Sequence, residues 1–221
     1  TDQLWSAGLS VNSFKVNYTY DTANYVLSET RYAWDGGAWS GSEKYDYTYD
    51  AVHNKLTEHK QAWNSGAWQE SYKKIYYYTP WNTVQDYYYQ TASGGVLVYL
   101  NAIGYSYNAS GDKLQELYKN WSGSSWTNVS KTTYSYDANH RDTLRVNYTI
   151  NGNTSTATTQ TSIAYSATGK VLSETSFYSN NGAWVYSSRD LYAYNASDLR
   201  TETIHQTYSS NNWLNTTRYS F

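Results

Sequence analysis

The sequence has no cysteine, no methionine, a single proline and no excess of either charge. Without cysteine there is no disulfide framework, thiolate metal site or cysteine nucleophile. The 16 basic and 18 acidic side chains leave a net charge of −2, which argues against nucleic acid and anionic membranes as partners. No run approaches the roughly 18 apolar residues of a membrane helix, so we expect no membrane insertion. Because position 1 is not methionine, we expect a processed or excised chain whose signal peptide has been removed.

Aromatic residues are abundant instead, with 28 tyrosines and 10 tryptophans, and they recur with a fixed period. Tyr18-Thr19-Tyr20-Asp21 returns 29 residues later as Tyr47-Thr48-Tyr49-Asp50, and related segments follow at the same interval without an inserted or deleted residue. We therefore expect one repeat domain over residues 1–221. It consists of a partial N-terminal repeat, 1–17, and 29-residue repeats that start at 18, 47, 76, 105, 134, 163 and 192.

Two kinds of turn alternate along each repeat. Pairs such as Gly36-Gly37 and Asn181-Gly182 suit a two-residue hairpin turn of the primed type, which needs positive φ at its centre. The other turn follows the Tyr-x-Tyr-Asp element, and its third residue is always Asn, Asp, His or Gly. These residue types tolerate the left-handed region, which predicts a three-residue type I turn with a bulge. Pro80 falls at the first position of that loop, where its fixed φ fits.

The two-residue turn also predicts which residues face each other across a hairpin. It places Trp34 opposite Trp39, and the equivalent tryptophans of other repeats likewise. Counted further from the turn, it pairs an acidic with a basic residue in four repeats: Glu29 with Lys44, Glu58 with Lys73, Glu116 with Lys131 and Glu174 with Arg189. We interpret these ion pairs as a ladder that fixes strand register.

The same counting predicts the two faces of the sheet. Trp34, Trp39, Tyr47 and Tyr49 should share one face. The other face should carry the ion pairs together with Leu27, Leu56, Leu114 and Leu172.

These patterns predict an all-β protein, an antiparallel meander of about 16 long strands built from β-hairpin repeats. A sheet of so many strands should not stay flat and open. We expect it to coil or roll, with closure into a barrel as the alternative. Neighbouring repeats should then stabilise one another without a thick core.

No pattern points to catalysis, and we expect a non-enzymatic protein without a metal or cofactor. The aspartates after the tyrosine pairs stand where a turn begins, so backbone capping is favoured over paired catalytic carboxylates. The histidines have no recurrent acid or serine partner and no metal-ligand spacing. They are His53, His59, His140 and His205.

The tryptophans beside the two-residue turns are the candidate ligand-binding residues. A structural role is the simpler interpretation, since cross-strand stacking stabilises hairpins. However, hairpin tips are the least buried part of a long sheet, and repeated aromatic rings that stack on sugars would add avidity. The row is interrupted at Ala92 and Leu97 in the third repeat and at Ile150 and Ser155 in the fifth. The candidates are Trp34, Trp39, Trp63, Trp68, Trp121, Trp126, Trp184 and Trp213.

The segments Tyr105–Gly111, followed by Leu114, and Tyr134–His140 resemble the YD-repeat family, whose hallmark is Tyr-x-Tyr-Asp-x-x-Gly and a following aliphatic residue. That family includes shell-forming repeats of bacterial rearrangement-hotspot and Tc toxins and of animal teneurins. The resemblance implies secreted or cell-surface β-hairpin repeats that build a rolled sheet and often engage carbohydrate. The 29-residue repeat is longer than is usual there, and its added arm, Asp35–Trp39, is similar to repeats in large secreted proteins of Bacteroidetes-type bacteria.

These observations support two alternative functions, one in ligand binding and one purely structural. The first is a non-enzymatic module of a larger secreted or cell-surface protein, of adhesin type, that binds a polysaccharide or cell-surface glycan through its aromatic residues. The alternative is a structural spacer or shell segment of a larger secreted protein or toxin, with no ligand of its own. A glycan titration followed by tryptophan fluorescence separates the two.

Overall fold

A computed structural model describes residues 2–6 and 9–221, with side chains described from Phe14 onward. These residues form sixteen β-strands that follow one another in an antiparallel meander, in which each strand is hydrogen-bonded to the next in chain order. The first eight strands are β1 Asp2–Ser6, β2 Leu9–Tyr20, β3 Val26–Trp34, β4 Trp39–Tyr49, β5 Lys55–Asn64, β6 Ala67–Tyr78, β7 Val84–Ser93 and β8 Val96–Tyr107. The remaining strands are β9 Lys113–Trp121, β10 Trp126–Tyr136, β11 Asp142–Asn151, β12 Thr154–Tyr165, β13 Val171–Asn180, β14 Ala183–Tyr194, β15 Arg200–Ser209 and β16 Asn212–Ser220.

This arrangement confirms the predicted all-β meander. The strand order runs linearly from β1 to β16, and within the described residues these end strands do not pair with each other, so the barrel alternative is wrong. The described residues form no helix, and therefore none that could cross a membrane.

The chain divides into two compact units. Unit 1 comprises Thr1–Ile103 and Asn120–Trp126, and unit 2 comprises Gly104–Lys119 and Thr127–Phe221. Strands β8, β9 and β10 each contribute residues to both units, so the division does not coincide with a linker. The single repeat domain stays a prediction, and residues 1, 7 and 8 of its partial first repeat lie outside the described residues.

Both predicted turn types are confirmed. In the first three-residue loop, the Asp21 amide donates to the Tyr25 carbonyl at 2.9 Å and the Asn24 amide to the Asp21 carbonyl at 3.2 Å. The third loop residue has a φ from 60° to 89° in every repeat, at Asn24, His53, Asn82, Gly111, His140, Gly169 and Asp198. At the two-residue turn, Ser65 and Gly66 have φ of 50° and 85°, the two positive values of a type I′ turn.

A β-bulge in the second strand of the hairpins makes the predicted charge register wrong. Trp34 does face Trp39, but Tyr32 faces Gly41 and Arg31 faces Glu43, so Ser42 is skipped. Beyond the bulge Glu29 faces Tyr45 instead of Lys44, and in other repeats Glu58 faces Lys74 and Glu174 faces Asp190. The skipped residue is a serine or threonine in six hairpins: Ser13, Ser42, Ser71, Thr158, Ser187 and Thr216.

The bulge also changes which side chains share a face. Trp34 and Glu29 are five residues apart on β3, so they point to opposite faces, and Tyr45 and Tyr47 lie on the side of Glu29. The prediction that the tryptophans share a face with Tyr47 and Tyr49 is therefore wrong. In each repeat we call the face that carries the residues beside the two-residue turn the tip face. The opposite face, which carries Tyr45, Tyr47 and their equivalents, is the tyrosine face.

Successive repeats are joined by a recurrent tyrosine hydrogen bond at the loop end of the hairpins. The second tyrosine of the Tyr-x-Tyr element donates its hydroxyl to a carbonyl 23 residues earlier, at 2.9 Å in each case. The pairs are Tyr49 with Val26, Tyr78 with Lys55, Tyr136 with Lys113, Tyr165 with Asp142 and Tyr194 with Val171. Among the described side chains, the only buried apolar ones are Ala102, Val146 and Ile163, which are 2%, 8% and 7% exposed. Contacts between neighbouring strands therefore stabilise the sheet in place of a thick core.

Candidate functional site

The predicted tryptophan pairs are present across their hairpins; two are edge-to-face contacts and the third is tilted. The ring centroids of Trp34 and Trp39 are 5.2 Å apart with planes at 67°, and those of Trp63 and Trp68 are 5.0 Å apart at 71°. Trp121 and Trp126 are 5.0 Å apart at 58°. This geometry is the favoured one for aromatic pairs. Because one ring stands on the other, a pair does not present two parallel rings to a ligand.

Trp63 also packs against a neighbouring strand, β4. A Cβ atom placed on Gly41 would lie 2.9 Å from Cδ2 of the Trp63 ring, closer than real contacts allow. The missing side chain at Gly41 is therefore what lets the indole lie on β4. This packing gives Trp63 a structural role.

The last two candidates, Trp184 and Trp213, lack a tryptophan partner. Trp184 faces Ser179, and 38% of its surface is exposed. Trp213 packs edge-to-face on Tyr208 with centroids 5.0 Å apart, and the Arg189 guanidinium lies 4.3 Å from the Trp213 ring centroid. Tyr186 contacts both rings and also Phe177, at 4.8 Å, which makes a four-ring cluster in unit 2.

A larger aromatic cluster in unit 1 occupies the place where the row of pairs was expected to break. We call it the five-ring cluster: Tyr77, Tyr88, Tyr99, Trp121 and Trp126. Tyr88 and Tyr99 stand 5.4 and 5.5 Å from Trp126, and Tyr77 stands 5.6 Å from Tyr88. Tyr77 is 54% exposed and Tyr99 37% exposed.

The three tyrosines of this cluster were missed from the sequence because tyrosine does not recur regularly at their positions; among their equivalents only Tyr186, at the position of Tyr99, is aromatic. Tyr88 corresponds to His59 and Tyr99 to Glu70, one repeat earlier. A local surplus of tyrosine in the third repeat was the available signal. Trp81, which is 70% exposed in the three-residue loop after Pro80, was also left out because it has no aromatic equivalent.

The tyrosine face of unit 1 carries a network in which acids, bases and phenols satisfy one another. Glu58 accepts hydrogen bonds from Lys74 Nζ at 2.7 Å, Lys55 Nζ at 3.2 Å and the Tyr72 hydroxyl at 2.9 Å. Burial raises the pKa of the Glu58 carboxyl, but these hydrogen bonds outweigh burial and hold that pKa below its ordinary value. Burial also raises the pKa of Tyr47 to about 12. The charges of this network are thus already paired.

Each histidine has a carboxylate neighbour, which sequence inspection did not reveal. His59 Nε2 is 2.5 Å from Glu70 and His205 Nδ1 is 2.8 Å from Asp190. His140 Nδ1 is 2.8 Å from Asp112, and His53 Nε2 is 3.8 Å from Asp21. The four sequence separations differ, so the pairs are not a repeated device. Across residues 2–6 and 9–221, no group of three or more His, Asp or Glu side chains is arranged to hold a metal ion.

The aspartates of the Tyr-x-Tyr-Asp element cap their turns, as predicted. Oδ1 of Asp50 accepts the amides of Val52 and Asn54, both at 2.9 Å. Oδ1 of Asp137 accepts those of Asn139 and Arg141 at 2.9 and 3.0 Å.

No family model and no curated protein matches the chain. Among solved structures it is similar to a DUF3836 family protein from Bacteroides vulgatus, with 20% identity and a TM-score of 0.34 over 40% of this chain and 92% of that one. It is also similar to a porin-like protein from Bacteroides uniformis, with 9% identity and a TM-score of 0.41 over 92% of this chain and 86% of that one. A third similarity is to TcdB2-TccC3, with 13% identity and a TM-score of 0.36 over 94% of this chain and 13% of that one. All three TM-scores are below 0.5, so membership of the YD-repeat family stays a prediction.

Proposed function

We propose that the chain is a non-enzymatic repeat module of a secreted or cell-surface protein that binds polysaccharide through exposed aromatic rings of its tip face. The five-ring cluster carries the proposal. Its rings are contiguous, and Tyr77 and Tyr99 keep large exposed surfaces. Apolar ring surface beside phenol hydroxyls suits the faces and hydroxyl groups of sugars.

We therefore assign ligand binding to the five-ring cluster and not to the whole row of tryptophans that the sequence analysis named. Trp63 packs on Gly41. Trp34 with Trp39, and Trp63 with Trp68, form cross-strand pairs that stabilise their own hairpins. These contacts favour the spacer function for that part of unit 1. We place the binding surface at Tyr77, Tyr88 and Tyr99 with Trp121 and Trp126.

Affinity electrophoresis through gels containing a neutral polysaccharide, such as xyloglucan or a mixed-linkage glucan, tests the proposal. We expect the parent chain to be retarded and Tyr99→Ala to lose most of that retardation. Tyr18→Ala is the matched control, because Tyr18 is 47% exposed and belongs to the tyrosine face, opposite Glu29. If none of a broad panel of polysaccharides retards the parent chain, the spacer function takes the place of this proposal.

A further inference from the structure

The tip of the fifth repeat in unit 2 has a groove where other repeats have a tryptophan pair. Ile150 faces Ser155 at this tip, in the positions that Trp63 and Trp68 occupy in the second repeat. Without the two indoles, an open groove of about 430 Å³ remains beside the turn. That volume is in the range of small-ligand sites. Its walls include Gln115, Leu117, Asn128, Lys131, Ile150 and Ser155.

Lys131 supplies a positive charge to this groove. The sequence predicted that it pairs with Glu116, but Glu116 accepts from Lys113 Nζ at 3.0 Å, and no described carboxylate forms an ion pair with Lys131. Its Nζ lies instead 4.7 Å from the ring centroid of Tyr148. No acidic side chain lines the groove, so the positive charge there is uncompensated.

The other walls combine hydrogen-bonding groups with apolar surface. The side-chain amides of Gln115 and Asn128 make no hydrogen bond to another described residue, and each offers both a donor and an acceptor. Leu117 and Ile150 add an apolar patch beside them. A cation, two uncommitted amides and an aliphatic patch are the complement of a sugar ring that bears one anionic group.

We infer that this groove binds an anionic sugar residue of a polysaccharide. The carboxylate or sulfate accepts hydrogen bonds from Lys131 Nζ, the sugar hydroxyls pair with Gln115 and Asn128, and ring C–H groups contact Leu117 and Ile150. The inference deepens the proposed function by adding a charge-selective site, and it uses none of the five aromatic rings. Because the whole chain carries a net charge of −2, general attraction of polyanions is weak, and retention has to come from such a local site.

Isothermal titration calorimetry of the full 221-residue chain tests the inference with three probes: an oligogalacturonide, a dextran sulfate oligosaccharide and a neutral cello-oligosaccharide. We expect one or both anionic probes to bind, and the comparison between them tells a carboxylate from a sulfate ligand. Lys131→Gln should weaken binding about tenfold or more, since a charge-assisted hydrogen bond is lost. Lys170→Gln removes the same charge from a loop end outside the groove and should change affinity less than twofold. Equal losses in both variants, or no binding of either anionic probe, would overturn the inference.

A second variant fills the groove without removing its charge. Ile150→Trp combined with Ser155→Trp restores the tip of the second repeat and should abolish anionic sugar binding while the melting temperature stays the same or rises. Persistent binding in that double variant contradicts the site. Tyr99→Ala should leave binding of the anionic probes intact, so failure of the five-ring cluster to bind neutral polysaccharide and failure of this groove are separate results.

Discussion

The two ends of each hairpin use their aromatic residues differently. At the loop end, a tyrosine hydroxyl bonds to the carbonyl 23 residues earlier in five repeats, always at 2.9 Å. At the tip end, the facing residues change from Trp63 and Trp68 to Ile150 and Ser155, and then to Tyr208 and Trp213. The loop-end bond and the tip contact stand at opposite ends of the same hairpin, since Val26 and Trp34 lie on β3 and Trp39 and Tyr49 lie on β4. A change at a tip therefore leaves the joint between repeats intact, which makes the tips the places where ligand specificity can differ along the chain.

The largest effect is expected from deleting Ser71, the bulge residue that separates these two ends in the second repeat. Without it, the side chains on one side of the deletion would point to the wrong face of the sheet: either Trp68, before Ser71, or Tyr72 and Lys74, after it. We expect the free energy of unfolding to fall by about 4 kcal/mol in urea denaturation. Ser71→Ala keeps the residue count and should cost no more than about 0.5 kcal/mol. A deletion that is tolerated as well as Ser71→Ala would show that the bulge does not set the faces.

The bulge explains how much of the fold was predictable. Turn chemistry is local, so the left-handed third loop residues such as Asn24 and the loop position of Pro80 followed from residue type. The facing of Trp34 and Trp39 followed from counting four residues across the turn. The count then failed at Ser42, because period-two alternation carries no mark for an extra residue. A serine or threonine at the same place in other repeats was the one signal, and it did not stand out in a chain rich in both.

The candidate site was predictable only where it repeats. Trp121 and Trp126 were found because their equivalents are also tryptophan. Tyr88 and Tyr99 were not found, because their positions are occupied by His59 and Glu70 in the preceding repeat. Their contact with Trp126 depends on neighbouring strands in the sheet. Comparing repeats reveals only the residues that recur, so it does not reveal these side chains, although they are the ones that make one tip differ from another.

A moderate effect is expected at the loop end from Tyr136→Phe, which removes the hydroxyl that bonds to the Lys113 carbonyl. We expect a loss of about 1 kcal/mol in the free energy of unfolding, the usual net value of one hydrogen bond. Tyr20→Phe is the control, since the Tyr20 hydroxyl has no hydrogen-bond partner among the described residues and 53% of this residue is exposed. If the two substitutions have the same effect, the joint between repeats depends on ring packing and not on the hydroxyl.

The smallest effect concerns pH, at the loop-end contact between His140 and Asp112. The hydrogen bond to Asp112 raises the pKa of His140 above its ordinary value of 6.5, and the same bond lowers the pKa of Asp112. A raised histidine pKa stabilises the fold below pH 6.5, and that contribution is lost as the pH rises through the folded-state value. The lowered carboxyl pKa acts in the opposite sense and is lost in acid. We expect the NMR titration midpoint of His140 to lie above 6.5 and to fall toward that value in Asp112→Asn. A midpoint that Asp112→Asn leaves unchanged would mean that this polar link between successive loops does not form in solution.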